Sequence, residues 1–250
     1  MKNQPLVAII IPSYKGEDTI YEVVRSALNQ DYNNIEVIVV DDNGEGTLDQ
    51  IETRKKLLPF FEDSRFKYIV HDVNKNGSAA RNTGLRNTCA KYISFLDDDD
   101  YFFENKVSCC VNALEKLDED FGMAYTAYIL SNPDGKESII NPNYSGDILN
   151  DFVLGKIRLC SSSVVLRREA VISINGFDES FKRHQDWEFF VRILSKYKAY
   201  YVDEICMKKV LLKRNSPPSA EIYEKYRIHF LNKMSCIFDS LEKKNKKEII

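Results

Sequence analysis

Apolar, β-branched runs alternate with helical patterns along the first hundred residues. Residues 7 to 11 (VAIII) and 35 to 40 (IEVIVV) are almost purely apolar, which is typical of strands covered on both faces of a parallel sheet. Between these runs, apolar side chains recur at helical spacing: Ile20, Val23, Val24, Ala27 and Leu28. Because parallel strands need a crossover connection, this pattern predicts a strand–helix–strand unit and constrains the chain to an α/β fold.

The same alternation continues to about residue 96. It predicts two further helices, over about 48–58 and 78–88, and two further strands, over about 66–70 and 92–96. Parallel strands joined by right-handed helical crossovers form an open, doubly wound sheet. We therefore expect a Rossmann-like, mostly parallel sheet with helices on both faces.

The pattern becomes mixed after residue 100. A turn is predicted at NPDG (132–135) between two strands, and an amphipathic helix with core-facing residues closes the chain. The remaining expected elements are a helix at 105–117, strands at 123–130 and 138–141, a helix at 187–196, two strand-like runs at 200–206 and 209–212, and a final helix from about 222 to 241. Since no Gly/Ser-rich linker interrupts the chain, we expect one domain over 1–250. Its parts are a first half (about 1–117), a second half (about 118–212) and a C-terminal loop and helix (213–250).

Composition excludes several classes of protein. A net charge of −3, with 44% hydrophobic and 29% charged residues, describes a soluble globular chain and argues against nucleic-acid binding. The six cysteines show no CxxC spacing and mostly have apolar neighbours, which favours buried free thiols in a reducing compartment. The apolar run before Pro12 is too short for a signal sequence or a membrane span. A cytoplasmic location is expected.

Polar side chains follow each of the four strands predicted in the first half. The sets are Pro12 to Tyr14, Asp41 with Asp42, residues 76–81, and Asp97 to Asp100. In a doubly wound sheet, ligands bind outside the carboxyl ends of the strands, so all four sets share one edge. An aromatic ring, carboxylates and the Arg81 guanidinium together suit a base, a ribose, a pyrophosphate and a metal ion. A nucleotide is the common ligand that this edge predicts.

Four consecutive carboxylates, Asp97 to Asp100, need a neutralising partner because like charges repel. Mg²⁺ and Mn²⁺ take oxygen ligands and are commonly held by one or two carboxylates plus phosphate oxygens. With strand geometry, Asp97 and Asp99 would face one side, and Asp98 and Asp100 the other. The alternative is a solvated loop that caps the next helix. The shared edge favours the metal site.

Three other polar positions also have a structural alternative. Asp42 lies in a segment that suits an ordinary turn, and Arg81 lies among small residues that suit close helix packing or an anion at a helix start. Asp186 precedes an amphipathic helix beginning at Trp187. It is either a helix N-cap or a general base held at a rigid helix start.

As a set, these motifs resemble family 2 inverting glycosyltransferases of the GT-A fold. The similar segments, in the order of the family, are IIIPSYKGEDTIYEVVRSALNQ, IEVIVVDDN, NGSAARNTGL, YISFLDDDDYF and GFDESFKRHQDWEFFVRI. The resemblance covers most of residues 6 to 195. It implies a nucleotide-diphosphate sugar donor, with UDP as the nucleotide, and transfer to an acceptor hydroxyl with inversion.

The resemblance also implies roles for individual residues. Asp97 and Asp99 would hold Mn²⁺ or Mg²⁺ in an Asp-x-Asp motif, and Asp186 would be the catalytic base. The nucleotide would be bound by Pro12, Tyr14, Asp42, Arg81 and Asp98. The family often has Glu-Asp where this chain has Gln185-Asp186, which affects hydrogen bonding on the acceptor side.

The expected acceptor is a saccharide or a lipid-linked saccharide of a bacterial surface polysaccharide. Lys213 and Arg214 are predicted to lie on a lid that approaches the diphosphate. The lysine-rich end, with Ile249 and Ile250, would also suit peripheral contact with an anionic membrane at its inner face.

The sequence leaves two alternative functions open. A haloacid-dehalogenase-like phosphatase also places Asp-x-Asp after a parallel strand, but its nucleophile follows the first strand, which here ends in Pro12-Ser13-Tyr14. A non-catalytic protein that binds nucleotide sugars is the other alternative. Retention of both the Asp-x-Asp motif and Asp186 argues against it.

Overall fold

The computed structural model of the chain describes residues 4–212 and 219–248, with side chains up to residue 241. Within these residues the chain forms nine strands and eight α-helices. The strands are β1 Val7–Ser13, β2 Ile35–Asp41, β3 Phe66–Val70, β4 Tyr92–Phe95, β5 Tyr101–Phe102, β6 Phe121–Ser131, β7 Glu137–Ile140, β8 Val164–Arg167 and β9 Lys198–Val210. The helices are α1 Ile20–Leu28, α2 Leu48–Leu57, α3 Gly77–Arg86, α4 Lys106–Leu114, α5 Leu149–Val153, α6 Arg168–Ser173, α7 Gln185–Leu194 and α8 Ala220–Glu248. Short 3-10 turns cover Leu58–Phe60 and Ser161–Ser163.

One sheet contains all nine strands. Its order is β3-β2-β1-β4-β8-β6-β9-β5, with β7 paired to β6. β1 is parallel to β2 and β4, and β2 is parallel to β3, whereas β8 is antiparallel to β4 and β6. The predicted α/β class, with a mostly parallel first half and a mixed second half, is confirmed.

Strand alternation at β1 separates two cores, one on each face of the sheet. Ile10 lies in one apolar cluster with Phe95 and Phe189, whereas Ile9 and Ile11 lie in the other. All five predicted apolar positions of α1 are buried. Helix α3 lies close to β1, since a Cβ added at Gly84 would be 2.3 Å from Ile10 Cγ2. This close packing holds α3 against the edge where the polar sets converge.

Several predicted boundaries differ from the structure. The predicted runs at 200–206 and 209–212 belong to a single strand, β9, which ends at Val210 and leaves residues 211–212 outside it. This strand pairs with β6 through register shifts that absorb the irregular spacing. Helix α7 occupies Gln185–Leu194 rather than 187–196, and β4 ends at Phe95. The NPDG turn is confirmed, with the Gly135 N–H donating to the Asn132 carbonyl and Gly135 at φ +82°.

The last helix packs along one face only. Met234 is buried, and Phe230, Ile237, Phe238 and Leu241 pack against the core that contains Phe189, whereas Ile222 of the predicted stripe is exposed. In the parts of the chain described, no helix is both long and apolar enough to cross a bilayer. The predictions for Lys213, Arg214, Ile249 and Ile250, and for the lysine side chains beyond residue 241, lie outside the described residues.

Candidate active site

The predicted site residues line two adjacent cavities at the carboxyl ends of β1, β2 and β4. A cavity of about 460 Å³ is lined by seven of them: Pro12, Tyr14, Asp42, Arg81, Asp97, Asp98 and Asp99. A second cavity of about 520 Å³ contains the eighth, Asp186. Both cavities are lined by Arg81, Asp97 and Gln185. These three side chains therefore form the wall between the two cavities.

The acidic run is a turn and not a continuation of β4. The Asp100 N–H donates to the Asp97 carbonyl at 3.1 Å, so strand alternation stops. Oxygens of Asp97, Asp99 and Asp100 lie within 4.8 Å of one another, while Asp98 accepts a hydrogen bond from the Tyr14 N–H at 3.0 Å. The expectation that Asp100 faces away from Asp97 and Asp99 is wrong, because the tight turn brings it back to them.

Two protein cations offset part of this negative charge. Arg81 Nη2 lies 2.6 Å from Asp97 Oδ1, and Lys209 Nζ lies 3.0 Å from Asp100 and 3.5 Å from Asp97. Burial disfavours the charged form of Asp97, but Arg81 and Lys209 outweigh it and lower its pKa. Burial raises the pKa of Asp100 to about 7, with Lys209 opposing the rise. Four carboxylates against two cations leave the turn acidic.

The residues present fit a divalent cation. Asp97, Asp99 and Asp100 supply hard carboxylate oxygens within a short span, the ligand type that Mg²⁺ and Mn²⁺ prefer. Asp97 and Asp99 also line the first cavity, whereas Asp100 is fully buried behind them and accepts from Ser162 Oγ at 2.7 Å. Asp97 and Asp99 are thus the pair best placed to hold an ion beside a ligand in that cavity.

Tyr14 lies where the chain leaves β1. Its side chain is 48% exposed, with the Lys15 ammonium 5.5 Å from the ring centroid. Gly16 permits this loop to approach the acidic turn, since a Cβ at Gly16 would lie 2.2 Å from Asp98 Oδ2. An exposed aromatic ring held beside Asp98 offers a stacking surface for a planar base.

Helix α3 presents Arg81 to the wall between the cavities. Its N-cap, Asn76, adopts φ +83° and accepts hydrogen bonds from the N–H groups of Ser78 and Ala79. Arg81 Nη1 donates to Gln185 Oε1 at 3.2 Å, and its guanidinium lies 5.3 Å from the Phe177 ring centroid. Together with the ion pair to Asp97, these contacts hold the Arg81 guanidinium on three sides.

Gln185 makes a pair of hydrogen bonds that a glutamate could not make. Its Oε1 accepts from Arg81, while its Nε2 donates to the Phe181 carbonyl at 2.9 Å. A carboxylate has no N–H to donate. The departure from the Glu-Asp pair of the family therefore ties the start of α7 to both Arg81 and the preceding loop.

Asp42 organises the loop between β3 and α3. Its Oδ1 lies 2.7 Å from His71 Nδ1 and accepts from the Lys75 N–H at 2.8 Å, and its Oδ2 accepts from Asn74 Nδ2 and the Asn76 N–H, both at 2.9 Å. A carboxylate has about four acceptor positions. The described loop groups thus engage all of them, although Asp42 also borders the first cavity.

Asp186 lies in the first turn of α7 and is not its N-cap. That position is occupied by His184, in the left-handed region at φ +57° and without a side-chain capping bond. Asp186 is half-buried and accepts from the Trp187 N–H at 2.9 Å. Burial, with Asp97 nearby, raises the pKa of Asp186. The side chain is therefore a stronger base than an ordinary aspartate, on a rigid element.

The sequence did not point to Lys209 or Ser162. Lys209 comes from β9, 109 positions after Asp100, and Ser162 Oγ accepts from the Asp97 N–H at 3.1 Å. Neither residue belongs to a motif. A lysine inside an apolar strand was the one available signal, since such a residue needs a carboxylate partner when it is largely buried.

Comparison with known families identifies the chain. A family model described as "Glycosyl transferase family 2" matches residues 8–174. The chain belongs to this glycosyltransferase family. The match spans the loops that line the first cavity and ends before Asp186.

Curated relatives support this assignment. An Escherichia coli protein named UDP-Glc:alpha-D-GlcNAc-diphosphoundecaprenol beta-1,3-glucosyltransferase WfaP is 34% identical over 194 residues, covering 76% of this chain and 71% of WfaP. An uncharacterized glycosyltransferase of Rickettsia bellii is 32% identical over 212 residues, covering 82% of this chain. This chain spans only 29% to 34% of the length of that protein and of similar Rickettsia proteins.

Solved structures show the same fold. Staphylococcus aureus TarS 1-349 in complex with UDP-GlcNAc has a TM-score of 0.69 at 17% identity, covering 91% of this chain and 66% of TarS 1-349. The Pyrobaculum calidifontis mannosyltransferase PcManGT, in complex with GDP-Man and Mn²⁺, has a TM-score of 0.63 at 19% identity, covering 86% and 59% of the two chains. The glycosyltransferase therefore has the GT-A fold expected from its sequence.

Proposed function

We propose that this glycosyltransferase moves a sugar from a UDP-sugar to an acceptor hydroxyl with inversion at the anomeric carbon. The observation that carries the proposal is the shared wall of the two cavities, since Arg81 and Asp97 line both the cavity that contains Asp99 and the cavity that contains Asp186. A donor on one side and an acceptor on the other would meet at this wall.

In the proposed donor site, Pro12, Tyr14 and Asp98 frame the base and ribose, and Asp42 holds the adjoining loop in place. Arg81 lies within reach of the diphosphate. Asp97 and Asp99 would hold Mn²⁺ or Mg²⁺, which when bound supplies positive charge to stabilise the leaving diphosphate. That PcManGT is solved with GDP-Man and Mn²⁺ supports this assignment.

The proposed reaction is a single displacement. Asp186 accepts the proton of the acceptor hydroxyl while the oxygen forms a bond to the anomeric carbon. The bond between that carbon and the diphosphate oxygen breaks, and the nucleoside diphosphate leaves with the electron pair. Attack from the face opposite the leaving group inverts the configuration, and the raised pKa of Asp186 favours proton transfer.

Asp186→Asn tests the base. Turnover should fall by roughly 10²- to 10⁴-fold, the contribution typical of a general base, while the dissociation constant for UDP remains unchanged. Asp120→Asn, at a side chain 74% exposed, is the matched control and should retain full turnover. Wild-type turnover in Asp186→Asn would remove Asp186 from the mechanism.

The metal assignment is tested by binding and by activity together. Asp99→Ala should lose Mn²⁺ binding measured by electron paramagnetic resonance, and a chelator should abolish transfer by the wild-type protein. Full activity in EDTA would exclude a required divalent ion.

The proposed acceptor is a lipid-linked saccharide used in bacterial surface polysaccharide synthesis, which the name of the relative WfaP supports. The second half of a single domain over 1–250 would bind it at the inner face of the membrane, with the C-terminal helix in peripheral contact with lipid. Transfer to such an acceptor would also exclude a non-catalytic sugar-nucleotide-binding protein and a phosphatase.

A further inference from the structure

Lys209 brings a second protein cation to Asp97. Its side chain lines the first cavity and is 21% exposed, and its ammonium lies 3.0 Å from Asp100 Oδ2 and 3.5 Å from Asp97 Oδ2. We propose that Lys209 couples the binding of the divalent ion to the binding of the UDP diphosphate. Its ammonium leaves Asp97 when that carboxylate holds the ion, and it then donates to a phosphate oxygen. The inference rests on the proposed function and assigns Lys209 to the donor site.

Both oxygens of Asp97 already face a protein cation. Oδ1 lies 2.6 Å from Arg81 Nη2, and Oδ2 lies 3.5 Å from Lys209 Nζ. A divalent ion held by Asp97 therefore comes close to at least one of these cations, and like charges repel. One of the two contacts has to weaken when the ion binds.

The Lys209 contact is the one expected to give way. Arg81 donates to Gln185 Oε1 at 3.2 Å as well, and its guanidinium lies over the Phe177 ring. Its ion pair with Asp97 is also the shorter of the two. The Lys209 ammonium, in contrast, is a point charge on a flexible four-carbon stem. It can shift while β9 stays in place.

Asp100 keeps Lys209 at the site while the ammonium turns. The Asp100 carboxylate is fully buried, and it also accepts hydrogen bonds from the Val210 N–H at 3.1 Å and from Ser162 Oγ at 2.7 Å. These contacts fix the end of β9 against the acidic turn. Since an ammonium has three N–H donors, one can stay on Asp100 while another passes from Asp97 to a phosphate oxygen in the cavity.

A purely structural role explains only part of this geometry. A buried carboxylate needs a paired cation, and Lys209 supplies one for Asp100. That role does not require the ammonium to line the cavity or to approach Asp97, whose other oxygen is already paired with Arg81. The position of Lys209 between a proposed metal ligand and the cavity therefore favours a role in binding the donor.

Titrations of Lys209→Met test the coupling. Without nucleotide, the dissociation constant for Mn²⁺, measured by electron paramagnetic resonance, should fall by about tenfold because a competing positive charge is lost. The dissociation constant for UDP, measured by calorimetry in EDTA, should stay at the wild-type value, since Asp97 and Asp100 engage Lys209 when no ion is bound. In saturating Mn²⁺ it should rise by about tenfold, because a hydrogen bond between charged groups is lost.

Lys208→Met is the matched control. Lys208 is the preceding residue on β9, is 35% exposed and pairs with Glu137 at 2.5 Å instead of with the acidic turn. Its substitution removes the same charge from the same strand. All three dissociation constants should therefore remain at their wild-type values.

A second variant allows for a loss of stability in Lys209→Met, which leaves the buried Asp100 without the Lys209 cation. In Lys209→Met/Asp100→Asn, both buried charges are removed. The asparagine amide can still accept from the Val210 N–H and donate to Ser162 Oγ. UDP binding in saturating Mn²⁺ should be weakened by about tenfold in this variant too. Circular dichroism of each variant verifies that the fold is retained.

Three results would overturn the inference and leave the proposed function intact. Weaker Mn²⁺ binding by folded Lys209→Met would show that Lys209 only shapes the acidic turn. An equal rise in the dissociation constant for UDP with and without Mn²⁺ would show that the ammonium contacts the diphosphate independently of the ion. Wild-type affinity for UDP in Mn²⁺ would remove Lys209 from the donor site. If the wild-type protein bound neither Mn²⁺ nor UDP, the proposed function would fail together with the inference.

Discussion

Replacing Asp42 by asparagine should destabilise the protein even without a ligand. Each oxygen of Asp42 engages two groups, one of which is the backbone N–H of Lys75 or Asn76. In asparagine, one of these two oxygens is replaced by an amide nitrogen, which cannot accept a hydrogen bond from the backbone N–H that it faces. His71 can change tautomer and accept, whereas Asn74 would have to reorient its amide. One charge-assisted hydrogen bond is therefore lost and the others weaken, which we expect to cost about 2–4 kcal/mol.

The assay is equilibrium urea unfolding of the ligand-free protein, followed by circular dichroism and by the fluorescence of the single tryptophan, Trp187. Asp72→Asn is the matched control in the same loop, since Asp72 is 70% exposed and pairs with an exposed Lys75. It should leave the free energy of unfolding unchanged within experimental error, because an exposed ion pair contributes little to stability. The reasoning is refuted if Asp42→Asn unfolds like the wild type yet fails to bind UDP, because Asp42 would then serve the ligand and not the loop.

Three further outcomes are expected. The transfer rate should fall as the pH decreases through the raised pKa of Asp186, because only the ionised base accepts a proton. The fall should occur at a higher pH than for an ordinary aspartate, and a rate that stays constant through that range would contradict this. Gly77→Ala places a Cβ 3.0 Å from Arg81 Nη1 and should weaken UDP-sugar binding by about 1 kcal/mol, roughly fivefold, without lowering the urea midpoint. Calorimetry showing wild-type affinity would contradict it. Cys109 and Cys206, with sulfur atoms 3.4 Å apart, should form an intramolecular disulfide with diamide, detected by peptide mass mapping and absent in Cys206→Ser.

The first half of the fold could be predicted because its strands are buried on both faces. Such strands need apolar side chains at every position, as at Ile9, Ile10 and Ile11, and their spacing is visible locally. The second half was less predictable. Whether residues 198–210 form one strand or two depends on bulged pairing with β6, and that partner is distant in sequence.

Cysteine burial shows the same limit. All six thiols are free, as expected, but Cys89 and Cys236 are exposed. Apolar neighbours in sequence predict burial only when the residue lies on the inward face of its element. For Cys236 that face depends on how α8 packs, since the neighbouring Met234 is buried.

The sequence by itself determined the α/β class, the edge at which the polar loops meet and the residue types gathered there. These features follow from local periodicity and from the rule that parallel strands end at a common edge. Only the tertiary structure decided which charges pair. Lys209 reaches the acidic turn from a strand 109 positions away, Gln185 links Arg81 to α7, and the loop after β3 engages Asp42. Ion pairs require charged atoms within about 4 Å of each other. Whether two side chains meet this distance depends on how elements that are distant in sequence pack against one another.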